Sequence, residues 1–266
     1  MTVTQALVLG LVQGLAEFLP ISSSAHLSLT PWLLGWRDPG LAFDVALHVG
    51  TLAAVLWYFR LEWARLARAA LWLARGRRPR TDEERRVGYI VLATAPAALA
   101  GLMVKDYAET VFRSPALTAS ALIAMGIVLW AVDRWSRAIR PLSEMRVGDA
   151  LLLGCAQVFA LIPGVSRSGS TMTAARALGF SREGAAAFSF LMSMPITFAA
   201  AVIEVPEAVR EGVSAPLVVG VLTSAASGWI AITVLLRYVA RHSFGVFAAY
   251  RIALGVLVFV VLGARG

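Results

Sequence analysis

The chain has 266 residues, 59% of them hydrophobic and 15% charged, with a mean hydropathy of +0.74. A soluble domain carries nearer a quarter charged residues, so a conventional soluble globule is excluded as the first reading. A spanning helix needs about 20 apolar residues, so a chain of this length holds about six to eight membrane segments with little left over. The net charge of +8 rests almost wholly on arginine, since Lys105 is the sole lysine. This bias fits loops facing anionic lipid better than a nucleic-acid surface, and no nucleic-acid partner is inferred.

Apolar runs cover 3–20, 41–59, 87–104, 115–132, 148–163, 185–203, 215–236 and 244–263. The first lacks a basic start and contains Gln13 and Glu17, so it is expected to stay in the mature chain rather than act as a cleaved leader. Residues 60–86 carry nine arginines against Glu62, Asp82, Glu83 and Glu84, which places that connection on the cytoplasmic side. The next connection is neutral (Lys105 and Arg113 against Asp106 and Glu109), and the one after it is positive, with Arg134, Arg137, Arg140 and Arg146. Further on, Glu204, Glu207 and Glu211 face only Arg210 and read as external, whereas Arg237 and Arg241 read as cytoplasmic. Single Cys155 lies in the apolar run 148–163, which excludes an intramolecular disulfide and predicts a small buried side chain.

This alternation makes spans of 41–59, 87–104, 115–132, 185–203, 215–236 and 244–263. The two runs left over fit as re-entrant hairpins, one over about 3–36 entering from outside and one over about 148–182 entering from the cytoplasm. The expected fold is therefore an all-α polytopic membrane protein, a single integral domain over 1–266 with six transmembrane helices and two re-entrant helical hairpins. An internal likeness adds an inverted-topology repeat, 1–132 against 148–263. Ala6-Leu-Val-Leu-Gly-Leu-Val-Gln13 resembles Ala150-Leu-Leu-Leu-Gly-Cys-Ala-Gln157 at an offset of 144, and Ala16, Ser22 and Ser24 match Ala160, Ser166 and Ser168. Repeats of this kind bring broken segments together near mid-membrane. Irregular backbone at that depth survives only where protein or a watery cavity satisfies it, so the two tips are expected to face each other around a polar cavity.

Gln13 and Glu17 are one helical turn apart and share a face, followed by Pro20-Ile-Ser-Ser-Ser-Ala-His26. Glu17 reads either as a structural ion-pair partner of an arginine or as a site of chemistry or transport, the default for an ionisable residue in a membrane. The second tip, Pro163-Gly-Val-Ser-Arg-Ser-Gly-Ser-Thr171, combines one arginine with hydroxyls and glycines. That composition suits an oxyanion: backbone N–H groups and hydroxyls donate, a guanidinium grips two oxygens, and a helix starting near Ser170 would aim its N-terminus inward. Tight helix packing by small residues is the alternative, though it leaves Arg167 unexplained. Together the tips place Glu17, Ser22, Ser23, Ser24 and His26 opposite Ser166, Arg167, Ser168 and Thr171, a set suited to phosphoryl chemistry. Spacing leaves attack by Ser23 and attack by water equally open.

The stretches Gln13-Gly-Leu-Ala-Glu17-Phe-Leu-Pro-Ile-Ser-Ser-Ser-Ala-His26 and Pro163 to Thr171 resemble the two signatures of the bacterial undecaprenyl-diphosphatase family, the bacitracin-resistance type. Phe43-Asp-Val-Ala-Leu-His-Val-Gly-Thr51 extends the likeness along essentially the whole chain. The resemblance implies hydrolysis of undecaprenyl diphosphate to the monophosphate, recycling the lipid carrier for envelope polymers. It further implies an inner-membrane enzyme that works with a divalent cation, Mg2+ or Ca2+, on a long-chain polyprenyl diphosphate among membrane lipids, with its site toward the periplasm, and it leaves room for a homodimer. Carried over, Glu17 handles metal or protons with Gln13 in support, Ser23 matches the proposed nucleophile, His26 the essential histidine and Arg167 the phosphate-binding arginine. Ser22, Ser166, Ser168 and Thr171 are the implied phosphate donors. Gln13 stands where relatives have glutamate, which puts a two-carboxylate mechanism in doubt.

His48, one turn beyond Asp44, either lines the cavity or makes a structural hydrogen bond. His242 is expected at the surface, and Glu183 either supports Arg167 or, on the plainer account, caps a helix starting near Ser181. Trp32, Trp36, Trp57, Trp63, Trp72, Trp130 and Trp135 lie near segment ends and read as interfacial anchors. The rival class is a secondary transporter or flippase of a phosphorylated lipid, which shares inverted repeats and broken helices; the polar tips favour the enzyme.

Overall fold

A computed structural model describes the chain except residues 111–113, 137–138, 211 and 266, and it leaves the side chains of 104–110, 204–205 and 207–210 undescribed. The loop charges on Lys105, Asp106, Glu109, Arg113, Arg137, Glu204, Glu207, Arg210 and Glu211 therefore lie outside the described side chains. The described residues form helices α1 (Val3–Phe18), α2 (Ser23–Leu34), α3 (Leu41–Tyr58), α4 (Arg60–Ala74), α5 (Asp82–Thr110), α6 (Pro115–Trp135), α7 (Val147–Val158), α8 (Arg167–Ala177), α9 (Arg182–Arg210), α10 (Ala215–Val239) and α11 (Gly245–Arg265). Short 3-10 turns add Leu142–Glu144 and Phe159–Leu161. Extended pairing among the described residues is limited to an isolated bridge between Arg140 and Phe180.

Six helices are long and apolar enough to cross a membrane, namely Leu41–Tyr58, Asp82–Met103, Pro115–Trp135, Arg182–Ile203, Ala215–Val239 and Gly245–Arg265. They coincide with the six expected spans. α1 has 16 residues and α7 has 12; at 1.5 Å per residue neither reaches the roughly 30 Å of a hydrocarbon core. Wide apolar faces are bare, among them Leu99, Leu102 and Met103 on α5, Phe198 and Val202 on α9, and Leu257 and Val260 on α11. A patchwork of that extent is stable only against an apolar solvent.

α3 and α9 are the most enclosed spans, with 44% and 50% of their apolar windows buried. They pack on each other at the centre, where Leu52, Val55, Phe190 and Met194 join Phe18 of α1 and Ile232 of α10. Around this pair α1 lies along α10, which also packs on α3, α7 lies along α5, and α6 and α11 pair. The α1–α10 seam is close because it is built from small residues: a Cβ at Gly14 would sit 2.0 Å from Ser227 Oγ and 2.5 Å from the Ser224 carbonyl oxygen. In lipid, where helices gain nothing from expelling water, such backbone proximity is a main source of association.

One end is tied by a buried ion cluster. Arg176 of α8 donates from Nε to Asp133 Oδ1 of α6 at 2.8 Å, and Arg182 Nε reaches the same oxygen at 2.8 Å. Asp133 Oδ2 accepts the Phe244 amide at 2.9 Å, which adds the start of α11. On the same connection Arg140 clasps Asp149, its Nη2 2.6 Å from Oδ2.

Four expectations are corrected. The basic connection 60–86 is not all loop, since α4 occupies Arg60–Ala74; Trp63, Leu66 and Ala69 turn inward at helical spacing and Leu66 joins a core cluster with Ile90 of α5, while Glu62 pairs with Arg86. Cys155 is exposed, not buried, because Ala150, Leu153, Gly154 and Gln157 form the inward face of α7 and Cys155 falls on the outer one. The helix of the second tip starts at Arg167 rather than near Ser170, with Ser166 as its cap. At the next helix, Ser181 accepts the Gly184 amide at 3.1 Å, so the cap is the serine and Glu183 is an exposed first-turn residue.

Candidate active site

The two tips are built alike. α1 ends at Phe18, the chain turns through Pro20 and Ile21, and Ser22 caps α2; after α7 the chain turns through Pro163 and Gly164, and Ser166 caps α8. Ser22 and Ser166 are the non-glycine residues with positive φ among the described residues, at 77° and 72°. Each such conformation costs about 1–3 kcal/mol and survives only where the surroundings impose it. The surroundings here are hydrogen bonds that recur in both tips. Ser22 Oγ accepts the Ala25 amide and meets Ser24 Oγ at 3.2 Å; Ser166 Oγ accepts the Gly169 amide and meets Ser168 Oγ at 3.3 Å.

A residue absent from the sequence-based site holds both turns. Arg251 of α11 is 0% exposed, and it donates from Nη1 to the Pro20 carbonyl at 3.2 Å and from Nη2 to the Gly164 and Val165 carbonyls at 2.7 and 2.8 Å. Gly169 makes room for it, since a Cβ there would stand 2.5 Å from Arg251 Nη1. Ser168 Oγ completes the link by donating to the Leu19 carbonyl at 3.1 Å. An arginine inside the apolar run 244–263 was a legible signal for a polar interior contact.

Between the tips lies a cavity of about 230 Å3 lined by Glu17, Ser22, Ser23, Ser24, Val45, His48, Ala97, Gln157, Ala160, Leu161, Ser166, Arg167, Ile196, Thr197 and Ala200. Ala97 and Ile196 directly follow the intrahelical prolines Pro96 and Pro195, where the missing amide leaves one hydrogen bond of the helix ladder unmade. Glu17 is the hub. Its Oε1 accepts Arg167 Nη2 at 2.7 Å, and its Oε2 accepts Ser23 Oγ at 2.5 Å and Gln13 Nε2 at 3.0 Å. His48 Nε2 stands 3.4 Å from the same oxygen. The His48 Nδ1 atom is 2.8 Å from the Asp44 carbonyl; a carbonyl only accepts, so that nitrogen carries a proton and Nε2 is the one turned to Glu17. Both readings of His48 from the sequence hold at once: it lines the cavity and makes a backbone hydrogen bond.

The expected set divides. Glu17, Ser22, Ser23, Ser24, His48, Ser166 and Arg167 face the cavity. Gln13 sits behind Glu17, holding it. Thr171 Oγ1 is turned into the helix packing, 2.8 Å from the Arg167 carbonyl and 2.6 Å from Ser189 Oγ of α9, and Ser168 is spent on Leu19. His26 lies outside the cavity lining: Nδ1 donates to the Ser22 carbonyl at 2.7 Å, Nε2 is 2.7 Å from Tyr250 Oη, and the two rings stack 5.6 Å apart. Both imidazole nitrogens are thus engaged in holding the first tip against α11.

Among the described residues no three His, Cys, Asp or Glu side chains converge as a metal site. Glu17 is the carboxylate on the cavity lining; Gln13 Oε1 is buried without a hydrogen-bond partner but lies behind Glu17, off that lining. A single cavity carboxylate fits a cation that takes most of its ligands from phosphate and water, the usual habit of Mg2+.

Six lipid-length helices around a cavity that combines a guanidinium, hydroxyls and a carboxylate in contact with a serine define a polytopic helical membrane protein with a polar interior cavity. The family of the bacitracin resistance protein BacA matches residues 6–257, and the chain belongs to it. It is 62% identical over 266 residues to the undecaprenyl-diphosphatase of Gemmatimonas aurantiaca, covering 100% of both chains. It is 50% identical to the protein of that name from Pelotomaculum thermopropionicum, over 100% of this chain and 98% of the other, and 48% identical to that from Moorella thermoacetica over the full length of both.

Proposed function

We propose that this protein hydrolyses undecaprenyl diphosphate to undecaprenyl phosphate and inorganic phosphate within the cavity between the tips. The observation that carries the reading is the contact of Ser23 Oγ with Glu17 Oε2 at 2.5 Å, beside Arg167. A hydroxyl hydrogen-bonded to a carboxylate that is itself oriented by other donors is the geometry of an activated nucleophile. Ser23 Oγ attacks the terminal phosphorus, its proton passes to Glu17, and the bridging P–O bond breaks as the lipid monophosphate leaves. His48 is placed to relay that proton outward; water then cleaves the phosphoserine, its proton taken up by the freed Glu17 carboxylate and passed to Ser23 Oγ as the P–O bond to the serine breaks and inorganic phosphate leaves. Arg167 holds the phosphoryl oxygens; its Nη1 has no hydrogen-bond partner although buried, so it is the donor free to meet them while Nη2 stays on Glu17. Ser22, Ser24 and Ser166 offer further hydroxyls. Glu17, held from behind by Gln13, would hold a Mg2+ or Ca2+ ion, which would supply positive charge against the diphosphate.

The architecture proposed with it is the inverted repeat, 1–132 against 148–263, with α1–α2 and α7–α8 as re-entrant hairpins. Its support is the shared serine geometry at 22 and 166, the short first helices and the α1–α10 and α5–α7 pairings. The proposed setting is the bacterial inner membrane with the site toward the periplasm. The prenyl tail would stay among helices or lipid, and every residue named in the chemistry comes from one chain, so pairing of two copies enters no step.

A lipid flippase would share the fold, so the test is made where no gradient exists. In detergent, the purified protein is expected to release inorganic phosphate from undecaprenyl diphosphate, to stop on addition of EDTA, and to recover with Mg2+ or Ca2+. Absence of release from folded protein across both cations would favour transport instead.

A further inference from the structure

Gln157 is 2% exposed and lines the cavity, yet neither its Nε2 nor its Oε1 has a hydrogen-bond partner. A buried polar group left unmade costs about 1–3 kcal/mol, and in a native interior it calls for a partner not contained in the chain. Its counterpart at the offset of 144 shows what is missing. Gln13 donates to Glu17 one turn further along α1; one turn beyond Gln157 stands Leu161, which accepts nothing and faces the same cavity. The other unpartnered donor on this cavity is Arg167 Nη1. Two residues of the cavity lining, at opposite ends of the second tip, therefore carry a buried unsatisfied donor, one charged and one neutral.

We propose that Gln157 is a substrate-binding and specificity residue whose Nε2 donates to the phosphate attached to the prenyl chain while Arg167 holds the terminal one. The inference rests on the diphosphatase reading and deepens it. Arg167 stands beside Glu17 and Ser23, so it meets the phosphoryl group that Ser23 attacks, whose negative charge is spread over its equatorial oxygens. The amide, which carries no charge to trap an anion, meets the phosphate that must leave. A ligand with two linked phosphates satisfies both donors; one with a single phosphate satisfies one, so the site favours substrate over either product.

The test uses the full-length protein in detergent with Gln157→Leu, and Gln157→Met as a second apolar replacement should the first fail to fold. Methylenediphosphonate, which cannot be split at its bridge, and inorganic phosphate serve as competing ligands. Removing the orphaned amide is expected to leave the thermal midpoint unchanged or raised. At the same time KM for undecaprenyl diphosphate and the inhibition constant of methylenediphosphonate rise at least about tenfold, the worth of one hydrogen bond to a charged group. Inhibition by inorganic phosphate is expected to stay as in the wild type. A folded variant with unchanged methylenediphosphonate inhibition overturns the proposal, as does a fall in thermal midpoint with no change in inhibition, which would make Gln157 structural. Equal weakening of methylenediphosphonate and inorganic phosphate also overturns it, since both would then bind one undivided site. If the wild type releases no phosphate, the diphosphatase reading fails, while the thermal shift produced by methylenediphosphonate still reports whether Gln157 contacts the anion.

Discussion

Arg167→Ala is expected to lower phosphate release from undecaprenyl diphosphate by at least about 10^3-fold, the scale on which a guanidinium stabilises a phosphoryl transition state. Arg167→Lys is expected to fall well short of rescue, because a point charge cannot both hold Glu17 and fork onto phosphate oxygens. The competing account is that the 2.7 Å pair of Arg167 and Glu17 only locks the tips together. A buried ion pair replaced on both sides by apolar residues is often neutral or stabilising, whereas removal of one partner alone is costly. The double variant Glu17→Leu with Arg167→Met separates the two. It is expected to keep its thermal midpoint better than Arg167→Ala and to release no phosphate. Turnover by that double variant would leave the pair a purely structural one.

Arg251→Met is expected to reduce stability by about 3 kcal/mol or more, since three buried carbonyls lose their donor together. Turnover should fall with it, because Pro20, Gly164 and Val165 are the turns that aim Ser23 and Arg167 into the cavity. Arg251→Lys keeps a donor but reaches fewer of the three oxygens, so it should fall between. Thermal unfolding followed with phosphate release on the same preparations checks this. A variant with wild-type midpoint and turnover would show that the tips hold their form without Arg251.

Much of this was legible in the sequence because lipid imposes a simple rule on composition. The six long helices lie where apolar length placed them, and the tip motifs named the cavity residues Glu17, Ser22, Ser23, Ser166 and Arg167. What was not legible depends on which way a side chain turns. The sequence grouped Ser168 and Thr171 with the donors of their own loop, but Ser168 donates to the Leu19 carbonyl of the first tip, and Thr171, one turn along α8 from Arg167, is held by the Arg167 carbonyl and Ser189 of α9. His26 is likewise one turn into α2 and meets Tyr250, 224 positions away, a contact no local pattern announces. α4 was hidden by its nine-arginine surroundings: its inward face is only Trp63, Leu66 and Ala69, too narrow to stand out by hydropathy. Gln157 was seen as a repeat match, but its missing partner becomes visible only once Leu161 and the cavity are placed beside it.

The most direct measurement is an experimental structure of this protein with a prenyl methylene-bridged diphosphonate, which retains the tail and cannot be hydrolysed. The expected result is the terminal phosphonate between Arg167 and Ser23 Oγ, with the chain-side phosphonate toward Gln157 and the tail leaving among the helices. Binding of the head group elsewhere, for instance on the arginine-rich surface of α4, with the cavity between the tips empty, would contradict the assignment of that cavity as the site of hydrolysis.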